Sequence, residues 1–417
     1  MVITERQPID KRKVVYVTAF EGASKEHIGL YESQVINFVK TLNKTKDTIC
    51  SLVVILEKKQ NYGNLERHLQ TLKITHHILR ISKFYKLFPF FYNYKGKGII
   101  ANDAKNHLII AREIVAAYFA YRICKGQTDK PALMLDKRGL PDYEVFTFKD
   151  RSVFFKIIKF IQLKYLARKL RSKISAVRFV TSDLRKWCIK TKVCSESTPF
   201  IVQPTSVLIS PVDQYKVGLD SFTKKIYLEN TIKIVYVGAR NEYQRFDDVV
   251  KFLKYIKFNL RQEIQPIIIS SFHSQESIEL LKSQLGQNTI VFNGLKNAEV
   301  LKILKLSDYG IISRHNDVIN RVAAPTKIAE YLLSGLHVLY TGDIGIIREV
   351  EKKFPKDTFI NYNYHDSLLL KKRFASDREK IIDIAANIFD IQKHVDRLLF
   401  FVEQNNYIPP IQTDTLE

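Results

Sequence analysis

Pro325, Thr326, Lys327 and Glu330 fall close together in NRVAAPTKIAEYLLSGLHVLYTGDIG, residues 320–345. Pro325 suits a helix start, because its missing N–H would have no partner there. Thr326 and Lys327 then occupy the first turn, where free N–H groups and the helix dipole attract an anion. A lysine at that end is unfavourable to the helix itself, and an anion held between the two removes the conflict. Glu330 comes one turn further in, placed to accept hydrogen bonds from two vicinal hydroxyls. The chemistry suggested is the grip of paired phosphates and a ribose. The competing reading is an i,i+3 surface pair of Lys327 with Glu330, worth roughly a few tenths of a kcal/mol.

Three further groups have residues of the same kind. In YVGARNEYQRFDD, Gly238 allows close backbone approach, and Arg240 and Arg245 project guanidinium forks that match phosphate oxygens. Arg314, Asn320 and Arg321 precede the Pro325 helix at another strand-to-helix junction. In LMLDKRGLPDYE, Asp136, Arg138, Gly139 and Glu144 cluster where a strand ends, and an Arg138–Glu144 ion pair bracing a turn is the alternative.

The elements that must position these groups read as alternating strands and helices. Short β-branched runs at 14–20, 51–57, 132–136 and 177–182 interleave with helix-length segments such as 31–42. The second half repeats the pattern, with strands at 232–238, 265–271, 289–294, 309–313 and 336–342. Its helices are at 245–258, 277–285, 298–306 and 326–334. The expected fold class is α/β, two Rossmann-like doubly wound domains facing a cleft. In such sheets ligands bind beyond the carboxyl ends of the strands, where all four groups fall. The expected boundaries are a domain over 1–205, a linker over 206–228 and a second domain over 229–376. A final helix or helix pair, 377–417, is expected to cross back to the first domain.

A chain of 417 residues is too long for one core, which agrees with two domains. Apolar content of 46% and charged content of 26% are ordinary for a globular protein. A net charge of +23 is not, and implies an anionic partner: nucleic acid, an anionic membrane surface or a phosphorylated substrate. The four cysteines form no C-x-x-C pair, so no zinc or disulfide framework is suggested. No D-x-D pair is present to clamp a divalent metal on a diphosphate, and no signal peptide is read at the start. The longest apolar run, HLIIAREIVAAYFAYRI at 107–123, is broken by Arg112 and Glu113, so membrane contact is expected to be peripheral. Residues 83–98 mix lysines with aromatics, and 151–173 carries eight cations and no acid. Such a surface suits an anionic lipid interface.

The stretch APTKIAEYLLSGLHVL resembles the donor-binding signature of retaining glycosyltransferases of the GT-B fold, family 4. SDYGIISR resembles the strand before that signature, and IVYVGARNEYQRFDDVVKFL the phosphate loop and helix of the same domain. LMLDKRGLPDYE and RFVTSDLRKW are similar to first-domain segments of bacterial members. The resemblance implies phosphate contacts from Arg240, Arg245 and Lys327, in the catalytic role of stabilising the departing diphosphate. It implies donor binding by Gly238, Arg314, Asn320, Arg321, Thr326 and Glu330, and acceptor-side roles for Gly22, Asp136, Arg138 and Glu144. Glu330 matches the second glutamate of the family's Glu-x7-Glu. The first falls on Val322, leaving that duty to Arg321 or Asn320. The phosphate arginine is displaced by one place at Arg240, and the family's lysine falls on Gln244.

The implied activity is hexosyl transfer, without metal or organic cofactor, from a UDP- or GDP-linked sugar to a lipid-linked or polysaccharide acceptor. Capsule, O-antigen or exopolysaccharide assembly at the cytoplasmic face of the cell membrane would be the setting. A basic nucleic-acid-binding protein is the alternative from another class, although no helix-turn-helix, RRM or KH pattern is present and nucleic acid is not the expected partner. A nucleotide-sugar epimerase of similar fold is a third, disfavoured by the lack of an obvious acid pair for proton shuttling.

Overall fold

The structure is a computed structural model that describes residues 11–20, 31–58, 63–92, 107–125, 130–147, 151–208, 231–239, 244–272, 274–364, 368–372 and 374–408. Gly22, Arg240 and most of the 206–228 segment lie outside the described residues. The chain divides into two compact units: Met1–Val180 with Leu184–Gln203 and Ile391–Glu417, and Thr181–Asp183 with Pro204–Asp390.

The first unit is built on β1 (Arg12–Ala19), β2 (Thr48–Glu57), β3 (His76–Ile81), β4 (His107–Arg112), β5 (Ala132–Lys137), β6 (Ala176–Phe179) and β7 (Phe200–Val202). All pair in parallel, in the order β3-β2-β1-β4-β5-β6-β7. The strand centres are largely apolar, because both faces of a parallel sheet are covered by helices. The order reverses direction at β1 and β4, which is the doubly wound pattern. The 107–123 run resolves into β4 and helix α1 (Glu113–Ile123). Glu113 breaks it with φ of 64°. Its carboxylate accepts from the Arg138 and Gly139 amides at 2.6 and 3.0 Å and from Lys137 Nζ at 2.6 Å. Helix α2 (Val153–Leu170) follows β5, capped at Ser152, whose hydroxyl accepts from the Phe155 amide.

The second unit holds β8 (Ile232–Val237), β9 (Ile264–Ser270), β10 (Ile290–Asn293), β11 (Tyr309–Ile312), β12 (His337–Tyr340) and β13 (Phe359–Asn361). They too are parallel, in the order β10-β9-β8-β11-β12-β13. The helices that matter for the site are α3 (Phe246–Lys254), α4 (Val318–Arg321) and α5 (Thr326–Leu333).

The terminal segment is two helices, α6 (Ala375–Phe389) and α7 (Ile391–Gln404), separated by extended Asp390. Ile381, Ala385 and Phe389 of α6 join the second unit's core. Ile391, Val395, Leu398 and Val402 of α7 join the core of the first, with Val14, Leu52 and Phe38. That spacing puts one apolar stripe along α7. Each buried side chain there contributes on the order of 1.5–3 kcal/mol.

Candidate functional site

In the second unit the described candidate residues follow the carboxyl ends of two strands: Gly238 and Arg245 come after β8, and Arg314, Asn320, Arg321, Thr326, Lys327 and Glu330 after β11. Tyr331, on α5, ties them together. Its hydroxyl accepts from the Val237 amide at 3.2 Å and donates to Ile311 O at 3.3 Å, so α5 is pinned to both β8 and β11. Gly310 makes room: a Cβ there would lie 2.3 Å from the Tyr331 ring. Burial raises the Tyr331 pKa, so the hydroxyl stays protonated and can keep donating. Tyr331→Phe leaves the Val237 amide without its partner. The expected cost is about 1–3 kcal/mol, read as a lower midpoint in urea denaturation.

The loop after β8 is closed by its own side chains. The Tyr236 hydroxyl donates toward Ala239 O at 2.7 Å and Gln244 Oε1 at 3.0 Å. A Cβ on Gly238 would sit 2.0 Å from that Gln244 oxygen and 2.8 Å from the Tyr236 hydroxyl, so a larger residue would push this contact apart. Gln244 therefore braces the loop. Arg245 begins α3 from a left-handed conformation, φ 46° and ψ 48°. Its Nη1 donates to Arg314 O at 3.2 Å, and its Nε pairs with Asp248.

Arg314 is buried at the end of β11, its Nη1 donating to Ser313 O at 3.0 Å and its amide to Thr341 Oγ1 at 3.2 Å. Arg314 and Glu330 both act electrostatically on the Tyr331 hydroxyl, which puts them in one neighbourhood. Lys327 Nζ donates to Glu330 Oε2 at 2.7 Å. The pair is not a surface one: the Glu330 side chain is 5% exposed and that of Lys327 31%. Thr326 is buried at the first turn of the same helix, and no side chain caps that end. Asn320 is fully buried on α4. Its amide and Nδ2 donate to Asp317 Oδ1 at 2.8 and 3.0 Å, while its own Oδ1 has no hydrogen-bond partner among the described residues. Arg321 turns elsewhere. Its side chain is 56% exposed and its Nε pairs with Asp343 at 2.9 Å.

In the first unit Asp136 and Arg138 come together, with Arg138 Nε 2.9 Å from Asp136 Oδ1. Glu144 stands apart from Arg138 and accepts from the Leu140 amide at 3.2 Å. Burial, and then Glu113, raise the Glu144 pKa. The turn is braced by Glu113 and Lys137 rather than by an Arg138–Glu144 pair. Beyond the residues expected from sequence the structure adds Tyr331 and, in the first unit, Tyr16, Arg112 and Arg178, while Gln244, expected only as the place of the family's lysine, braces a loop. Charged residues at inward positions of otherwise apolar strands were the available signal for the two arginines.

No sequence-family model matches this chain, and no curated protein matches it in sequence. Solved structures do match in three dimensions. A glycosyltransferase from Rickettsia africae ESF-5 has a TM-score of 0.60 at 14% identity, over 94% of this chain and 98% of its own. An E. coli trehalose-6-phosphate protein bound with UDP-2-fluoro glucose has 0.57 at 12%, over 96% and 99%. The lipopolysaccharide outer core galactosyltransferase WaaB has 0.52 at 11%, over 95% and 98%. At such identities the likeness speaks for architecture, and the architecture is GT-B: two Rossmann-like, doubly wound α/β domains.

Proposed function

We propose that this chain is a glycosyltransferase that takes a sugar from a nucleoside-diphosphate donor, with retention of anomeric configuration, and places it on a lipid-linked or polysaccharide acceptor. The observation that carries the reading is Lys327 paired to buried Glu330 at the uncapped start of α5, with Glu330 and Arg314 both acting on the Tyr331 hydroxyl and Arg245 held on Arg314 O. The bound UDP-2-fluoro glucose in one structure of the same fold supports a sugar nucleotide as donor, and the galactosyltransferase of lipopolysaccharide core supports a glycan acceptor.

Glu330 would hold the ribose hydroxyls. Lys327, Arg245, Arg240 and the free N–H groups of α5 would hold the diphosphate, with Gly238 giving close backbone approach. As the glycosidic bond breaks, negative charge grows on the departing diphosphate, so these cations bind the transition state more strongly than the ground state. No metal or organic cofactor is part of this proposal. Of the two residues left for the missing glutamate's duty, Asn320 is the better placed. Its buried Oδ1 has no hydrogen-bond partner among the described residues, whereas Arg321 is engaged by Asp343.

A thermal-shift screen with UDP, GDP, CMP and single-stranded RNA at matched salt tests the reading. One nucleoside diphosphate should raise the melting temperature in a saturable way. Stabilisation by RNA alone would favour the nucleic-acid alternative.

Association with the inner face of an anionic membrane belongs to the same proposal. Among the described residues no helix is long and apolar enough to cross a bilayer. Helix α2 exposes Val153 at 69%, Phe154 at 75% and Ile161 at 60%, beside the cations of 151–173. Replacing Phe154, Ile157 and Ile161 together by serine should cut co-sedimentation with phosphatidylglycerol vesicles by about tenfold or more. Their exposure predicts an unchanged melting temperature. Equal co-sedimentation of variant and parent would remove α2 from the membrane surface.

A further inference from the structure

Four charged groups converge inside the first unit. Arg112 on β4, Asp136 on β5 and Arg178 on β6 are direct register partners on three neighbouring strands. Arg138, two residues after Asp136, joins them from the strand end. Three guanidiniums thus surround one carboxylate. Asp136 is fully buried, accepts from the Tyr16 hydroxyl at 2.6 Å and lies 3.9 Å from Arg178 Nη1. Burial pushes its pKa up, but Arg138, Arg178 and Arg112 outweigh that and hold it at about 2. The carboxylate is therefore ionised, and the cluster retains an excess of two positive charges.

Arg178 is the anomaly. It is fully buried, and none of its Nε, Nη1 and Nη2 atoms makes a hydrogen bond among the described residues. The Phe38 ring, 4.5 Å from its guanidinium carbon, offsets part of the cost through its π face. It leaves the planar array of N–H donors unanswered. A buried cation without hydrogen-bond partners is expensive, and an apolar side chain of similar volume would serve packing better. Arg138 Nη1 is unanswered as well. The Arg112 and Arg138 side chains keep slight exposure, 8% for the residue and 11% for the side chain, and so mark the approach for a small ligand.

We propose that Arg112, Arg138 and Arg178 form a subsite for a phosphate group in the first unit, with Asp136 and Tyr16 fixing the guanidiniums. Forked N–H donors match phosphate oxygens, and two excess positive charges match a phosphate dianion. If the protein is a glycosyltransferase, this phosphate is carried by the acceptor, and that identification alone rests on the function proposed above. Two sources share this chemistry, a monoester on a soluble sugar and a diphosphate link to a lipid.

Isothermal titration of the full-length chain at constant ionic strength tests this, with inorganic phosphate, methyl phosphate and pyrophosphate as probes. A Lys327→Ala background disables the candidate donor site, so the result does not depend on that site. Saturable phosphate binding is expected, and Arg178→Met should abolish it. Arg138→Gln, nearer the surface, should weaken it about tenfold and serves if the Arg178 variant fails to fold. Tighter binding of methyl phosphate points to a monoester acceptor, and tighter binding of pyrophosphate to a diphosphate link. Absence of phosphate binding in the background protein, or binding unchanged in both arginine variants, would overturn the proposal. Loss of nucleotide binding in the parent protein, with phosphate binding kept, would sink the donor reading and leave the subsite standing.

Discussion

Lys327→Ala is expected to abolish the nucleotide-dependent rise in melting temperature and to lower kcat/KM for sugar transfer by about 10²–10³-fold, the scale of one lost charge-stabilising donor. The variant should also be less stable without ligand. Glu330 is 5% exposed and its Oε2 is 2.7 Å from Lys327 Nζ, so removing the lysine strands a buried carboxylate. Breaking a fully buried pair costs about 3–5 kcal/mol, and the 31% exposure of Lys327 puts this pair below that range. Glu330→Gln separates the two effects. It removes the charge, keeps the shape and leaves the lysine able to reach water. Its unliganded melting temperature should stay near that of the parent, while ribose binding weakens. Nucleotide shifts of parental size in both variants would return Lys327 and Glu330 to a purely structural role.

The strand and helix pattern was legible because a parallel sheet demands apolar strands between amphipathic helices, and the chain obeys this with little interruption. Strands expected at 232–238 and 309–313 appear as Ile232–Val237 and Tyr309–Ile312. His76–Ile81 was missed, since its two histidines and one arginine dilute the apolar signal of an edge strand. The 107–123 run is interrupted in sequence at Arg112 and Glu113, and the structure passes from strand to helix at that place with no loop between them. The break is a single residue, Glu113, in a left-handed conformation that depends on contacts from Lys137, Arg138 and Gly139. Such a contact is tertiary, and local pattern cannot disclose it.

The candidate site was legible in part for the same reason. Pro325, Thr326 and Lys327 announce a helix start through local rules alone. The depth of Glu330 was not legible, because burial depends on what packs over the helix. Tyr331 could have been flagged only together with Gly310, whose missing side chain its ring fills from 21 residues away. Arg178 looked like one more cation in a chain of net charge +23, and only the register of β4, β5 and β6 sets it beside Asp136 and Arg112.

That register makes Asp136→Asn the most damaging substitution expected in the first unit. Asp136 is the counter-charge to Arg138 and Arg178, and neutralising it leaves three guanidiniums crowded in a buried site. Removing one partner of a buried ion pair costs about 3–5 kcal/mol. For a domain of this size that lowers the melting temperature by roughly 6–20 °C. The same logic fixes the pH response. The folded pKa, about 2, lies below the ordinary 3.8, so the stabilisation is complete above the ordinary value. It is lost as pH falls through about 2. Acid unfolding between those limits should therefore be steeper in the parent than in Asp136→Asn. Arg178→Met should act in the opposite sense. Burial, and then Arg138, lower the Arg178 pKa to about 10, so the guanidinium stays charged at neutral pH but at a cost in the folded state. Removing that charge should leave stability unchanged or raise it. It should also partly rescue Asp136→Asn in the double variant, because the two residues share one electrostatic account. Strictly additive effects in that cycle would show that Asp136 and Arg178 act independently.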